Sequence, residues 1–141
     1  YSVAVASMIL LGRSSDKYRE RRWHMAIPLV VGAAAIVCSA LAGAHNTGWA
    51  IFFLTIAAGG ILAASPMFWS LPTAFLGGVS AAAGIAAINS VGNLAGFAAP
   101  YMIGSIKDLT QSTDIAIYLL AGILVIGAII IMRVPAKLVN K

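Results

Sequence analysis

The 84 residues from Trp23 to Ile106 contain no Asp, Glu, Lys or Arg. An ordinary soluble domain is about one-quarter charged, so a stretch this long without a charge excludes that class. A membrane-spanning helix needs about 20 apolar residues, and several crossings are therefore expected. Helices are expected because the strands of a membrane barrel alternate polar and apolar residues, whereas "VVGAAAIVCSALAGA" is apolar on every face. The whole chain is 61% hydrophobic and 9% charged, which suits an all-α, polytopic membrane helix bundle.

Breaks in the apolar pattern place the spans at about 25–44, 49–76, 80–105 and 115–132, after a partial helix at 1–11. "AHNTG" and "LGGVS" are turn sequences, and "KDLTQSTD" at 107–114 forms a third break. Pro66 and Pro72 each remove a backbone donor from the second half of the third span, where a kink or break is expected. The opening "YSVAVASMILLG" has no initiator Met and no basic leader, and it is too short to span. The chain is accordingly expected to be the C-terminal fragment of a longer protein.

Charge sets the orientation. Five of the nine basic residues (Arg13, Lys17, Arg19, Arg21 and Arg22) crowd into "GRSSDKYRERRWH" at 12–24. Three helices between this loop and Lys107 put eight bases on one side and one on the other; two or four helices split them six against three. The positive-inside rule prefers the first arrangement, with the loop and the C-terminus cytoplasmic. The basic residues flank apolar spans and line no soluble face, so nucleic acid is not an expected partner. His45 falls in the outer turn as a solvated loop histidine, and Cys38 can form no internal disulfide and is expected to be a small packing residue.

Within the loop, Gly12 is expected to end the first helix. Ser15 and Asp16 stand where they can cap or brace the turn, and the arginines face carboxylates or lipid phosphate. A generic basic connector would need neither the glycine nor the acids. In the fourth span, Asn89, Asn93, Gly92 and Gly96 fall within an arc of about 100° on one helix face. Amides at membrane depth must line a cavity or bond another helix, and Gly92 and Gly96 have the spacing that lets helices approach closely. Both uses remain open on residue chemistry alone. Trp69 has the same ambiguity: it lies twenty residues after Trp49, a separation that fits two aromatic belts, and it also offers a donor and a flat wall to a ligand. Ser65, one turn earlier on the same side, can add a hydroxyl or bond back to its own helix.

"GRSSDKYRERR" resembles the loop motif of the major facilitator superfamily, Gly-x-x-Ser/Ala-Asp-Arg/Lys-x-Gly-x-Arg-Arg, at Gly12, Ser15, Asp16, Lys17, Arg21 and Arg22. Arg19 stands where that motif has its second glycine, so a less tight turn is expected there. "RRWH", "FWSLPTAFL" and "INSVGNLAGFAAPYMIGSIKD" are similar to the anion:cation symporter branch, which includes bacterial tartrate, phthalate and sugar-acid permeases. The resemblance covers the whole chain and implies the last four and a half helices of a twelve-helix fold.

It implies secondary transport of a small organic anion with a proton across a bacterial inner membrane, completed by an N-terminal half outside this chain. It also places Asn89 and Trp69 near substrate, with Asn93 and Ser65 as further candidates. No enzyme activity, cofactor or metal is expected, since the sequence has no nucleophile paired with a base and no metal-ligand cluster. A drug exporter of the same superfamily and a non-transporting interaction module are the alternatives.

Overall fold

The structure, a computed structural model, describes residues 1–140, apart from the side chains of Phe75 and Leu138. These residues form α1 (Ser2–Tyr18), α2 (Arg22–Gly43), α3 (Thr47–Phe75), α4 (Gly78–Thr110), α5 (Asp114–Arg133) and a short α6 (Ala136–Val139). No strand occurs among them, and α2, α3, α4 and α5 are each long and apolar enough to cross a membrane. The all-α membrane bundle expected from the charge-free stretch is what forms.

The arrangement is inverted relative to a soluble bundle. Ten of the thirteen buried apolar residues in the described chain are alanines, including Ala33, Ala57, Ala63 and Ala128. Large side chains such as Ile27, Leu41, Phe52, Leu54 and Ile123 face outward. Lipid tails are as apolar as leucine, so large residues gain little by turning inward, and small ones let helix backbones close up. α2 lies at the centre between α3 and α5, and α1 packs on α3. The approach of α2 to α3 is tightest where Gly60 meets the Pro28 backbone and Gly32 meets Ala57 and Ile61. Buried Ser39 adds a bond across the pair, its hydroxyl donating to the Ala50 carbonyl at 2.8 Å.

Three features differ from the sequence-based expectation, the first being that α4 runs to Thr110, so the break expected at 107–114 shrinks to residues 111–113. α1 continues seven residues past the expected end, so Gly12 lies inside the helix and does not terminate it. Residues 12–18 lack the apolar periodicity that marks a span, yet nothing in them breaks a helix. α3 runs unbroken through both Pro66 and Pro72. Away from water the remaining backbone groups have no partner better than the helix itself, so the loss of two donors does not end it.

The turns are set by local chemistry. The Asn46 side chain caps α3, accepting from the backbone N–H of Gly48 at 2.8 Å and of Trp49 at 3.4 Å. Gly78 takes a φ of +55°, a conformation suited to glycine, at the tight join of α3 and α4. Lys107 lies in the last turn of α4, favourably placed at a helix C-terminus. The basic loop and the tail meet at the end of the bundle opposite Asn46 and Lys107, the end that also carries the α3–α4 turn, and there the Arg21 backbone N–H donates to Asn140 at 3.0 Å.

α4 stands apart. It touches α3 and α5 only lightly and buries none of its described residues.

Candidate functional site

The loop motif builds a compact junction. Arg19 adopts φ 50° and ψ 37°, the left-handed conformation, and closes α1. Its N–H donates to the Asp16 carbonyl at 3.4 Å, and the Glu20 N–H donates to the Ser15 carbonyl at 3.1 Å. This pair of bonds is a Schellman turn, which usually recruits glycine. The expected loosening at Arg19 therefore does not occur: the turn stays tight and the arginine accepts the strained conformation.

Ser15 is buried and its hydroxyl donates to the Glu20 carbonyl at 2.9 Å, so the motif serine braces the turn. The Asp16 carboxylate is exposed and has no hydrogen bond or ion pair among the described residues. Glu20 takes the bracing role within this chain. Its Oε2 accepts from the Trp23 N–H at 2.7 Å, satisfying an orphan donor at the start of α2, and its Oε1 accepts from the Asn140 side chain at 2.7 Å. Sequence reasoning read Glu20 only as a second acid among the bases, without this role, and missed Asn140. A carboxylate just ahead of a helix was a usable signal for the first; nothing local marked the second.

Arg22 ties the start of α2 to the end of α5, its guanidinium donating to the Met132 carbonyl. That carbonyl is one of the last in α5, where a cation is favoured. His24 stands two residues on, in the same first turn of α2: its Nε2 shares a 2.9 Å hydrogen bond with Ser14 Oγ, and its Nδ1 lies 3.9 Å from Glu20 Oε2. The Tyr18 ring stacks on His24 at 6.5 Å, and Lys17 Nζ lies 5.6 Å from the Tyr18 ring centre. The junction therefore joins α1, α2, α5 and the tail.

The amide face lies elsewhere. Asn89 and Asn93 are exposed on α4, and a side chain at Gly92 or Gly96 would meet nothing within 4 Å. The close helix approach that this spacing permits is not made within the chain. Asn89 is about 16 Å along α4 from Gly78, and Ser65 is about 15 Å along α3 from Phe75. Both thus stand about half of the roughly 30 Å hydrocarbon thickness from the turn that joins their helices. Ser65 is half-buried.

Trp69 is partly exposed, with its ring edge-on to Phe68 at 5.5 Å. Two residues on, Leu71 shares a small cleft with Arg22, Met25 and Val139 at the loop end. Trp69 therefore lies nearer the membrane boundary than Ser65 and Asn89 do. The structure brings the loop-motif residues together at one end, and sets the amide face on a helix with no partner for it among the described residues.

The class follows from these features: an integral membrane helix bundle. Its relatives are transport proteins. A Pseudomonas putida protein named for metabolite transport is 40% identical over 138 residues, covering 98% of this chain and 31% of the relative. A protein of Agrobacterium vitis that carries the name of a tartrate transporter is 48% identical over 130 residues, covering 90% of this chain and 29% of the relative. A quinolone resistance transporter of Acinetobacter baumannii is 35% identical over 144 residues, covering 98% and 31%. No protein-family model and no solved structure matches the chain. The chain is similar to these membrane transporters over 90% or more of its own length and spans about 30% of theirs, and the likeness upholds the resemblance drawn from the loop motif.

Proposed function

We propose that the chain forms part of the second six-helix half of a major facilitator carrier, which moves a small organic anion with a proton across a bacterial inner membrane by alternating access. The observation that carries this reading is the exposed amide face of α4, with Asn89 about half a membrane deep on a helix that buries nothing. Unpaired amides in lipid cost several kcal/mol, so this face needs a cavity or another helix. The relatives named for tartrate and metabolite transport favour a cavity for a carboxylate.

Between Trp23 and Ile106 the chain has no Asp, Glu, Lys or Arg, and its two histidines, His24 and His45, lie at helix ends away from Asn89, so the cation that pairs with an anionic substrate and the carboxylates that carry the proton are assigned to the longer protein. Asn89 orients the substrate by hydrogen bonds, with Asn93 and Ser65 nearby in depth. Trp69, closer to the loop end, borders the path. Of the loop motif Gly12, Ser15, Asp16, Lys17, Arg21 and Arg22, the bonds of Ser15, Arg21 and Arg22 hold the junction together as the two halves rock, and the exposed Asp16 carboxylate is free to meet the other half.

The test is titration of the purified full-length protein with tartrate. Losing one neutral hydrogen bond costs about 0.5 to 1.5 kcal/mol, so Asn89→Ala should weaken binding by roughly 2- to 13-fold without lowering thermal stability. Asn89→Asp should weaken it further, because a carboxylate there repels the anion. Parent-like binding with a lower melting temperature in Asn89→Ala would make the asparagine helix glue. A second reading, drug export, is favoured by the quinolone resistance relative. It predicts that a fluoroquinolone binds, that tartrate does not, and that Asn89→Asp leaves binding unharmed.

A further inference from the structure

We propose that the cleft between α2 and α5 at the loop end holds one acyl chain of an anionic phospholipid, with Arg133 at its mouth taking the phosphate. The cleft has a volume of about 500 Å³. Trp23, Ile27 and Val31 of α2 form one wall, and Val125 and Ile129 of α5 form the other. Its floor exists because Ala26 and Ala128, both buried, are too small to fill the gap between the helices. In a bilayer such a cleft is filled by hydrocarbon, since leaving it empty would forfeit the dispersion contacts of every lining side chain.

Length and charge identify the occupant further. From Trp23 to Val31 the cleft follows α2 for about 12 Å, against the roughly 15 Å depth of one leaflet's hydrocarbon. A chain entering at the loop end would stop near the bilayer centre. Arg133 is exposed at that end and has no carboxylate within 4 Å among the described residues. Arg22, close by, is already engaged by the Met132 carbonyl, which leaves the Arg133 guanidinium to bind a phosphate bidentately. The Trp23 side chain is half exposed on the same rim, where an indole is at home between hydrocarbon and headgroups. A zwitterionic headgroup sets its own cation beside the phosphate and so offsets the attraction of Arg133, whereas a headgroup of net negative charge does not, which favours the anionic lipid.

The experiment is native mass spectrometry of the full-length protein, titrated with phosphatidylglycerol or with phosphatidylcholine of the same chains. The parent should retain phosphatidylglycerol in preference to phosphatidylcholine. Arg133→Gln, a surface change, should lose about fivefold in phosphatidylglycerol retention with phosphatidylcholine unaffected, and Arg133→Lys should recover most of the loss. Val125→Trp, which fills the cleft from an exposed wall, should lower retention of both lipids. Inorganic phosphate should not compete. Equal phosphatidylglycerol retention by the parent and Arg133→Gln would overturn the proposal. So would competition by inorganic phosphate, or a dimer that forms through this face and excludes lipid.

Discussion

The Pro28 carbonyl oxygen occupies the space that a side chain at Gly60 would need: an ideal Cβ there would stand 2.5 Å from it. The obstacle is backbone on α2, so a larger residue can be accommodated only if α2 and α3 move apart. Gly60→Ala should destabilise the protein by about 1 to 3 kcal/mol, the usual scale for overpacking, and lower its melting temperature in detergent. Gly127→Ala is the contrast. Nothing lies within 4 Å of a Cβ at Gly127, so replacing this helix-interior glycine should hold stability or raise it by about 0.5 to 1 kcal/mol. Identical melting of the two variants would remove the close approach from the account of how α2 and α3 pack.

The loop junction makes a separate claim. The Asn140 side chain donates to Glu20 and accepts from the Arg21 N–H, so one residue of the tail holds both a carboxylate and a backbone donor. Asn140→Ala should release the tail, and the bond to a charged group sets a loss of about 1.5 to 3 kcal/mol if the site stays dry. Amide hydrogen exchange over residues 136–140 should quicken, while exchange in the centre of α2 should not change. Combining Asn140→Ala with Glu20→Gln should lose less than the sum of the single changes, because both act on the same bond. Additive losses would mean that the contact contributes nothing of its own.

Arg19 is held in a conformation that favours glycine, at a cost of about 1 to 2 kcal/mol for an L side chain. Arg19→Gly should therefore raise the melting temperature, or at worst leave it unchanged if the more flexible unfolded chain offsets the gain. Arg19→Val should lower it, since a β-branched residue resists positive φ more strongly. A drop in melting temperature for Arg19→Gly would show that the arginine side chain itself stabilises the junction.

How much of this was legible follows from where the determining forces lie. The four long helices were visible because a membrane demands apolar length, while the turn sequences "AHNTG" and "LGGVS" and the charged stretches at 12–24 and 107–114 mark the breaks. The far end of α1 was not, since Arg13 to Tyr18 read as a polar connector and the helix stops at an arginine, a residue type that does not announce a left-handed cap. Ser15 was legible from its motif, and its buried hydroxyl serves the turn. The Glu20–Asn140 bond joins residues at opposite ends of the chain, and it depends on an end-to-end register that no local pattern carries. Asn89 was conspicuous because an amide is rare in such surroundings. Its partner was not legible, because α4 finds none among the described residues.

The last prediction concerns which end of the bundle faces the cytoplasm. The loop and tail share one end, and the sequence assigns that end eight of the nine basic residues, against Lys107 alone at the other. Positive charge near short loops is retained on the cytoplasmic side, so the loop end should lie inside and the turns before α3 and after α4 outside. Cysteine labelling in intact cells can decide this. Cys38 lies on the outward face of the α2 span and is not the packing residue expected from the sequence; it is first replaced by serine so that all labelling belongs to the introduced cysteine. In that background Thr47→Cys and Asp108→Cys should react with a membrane-impermeant maleimide. Tyr18→Cys, although its position is well exposed, should react only after the membrane is permeabilised. Reaction at Tyr18→Cys in intact cells, with protection at the other two positions, would invert the orientation. It would then place the lipid cleft at Arg133 in the outer leaflet.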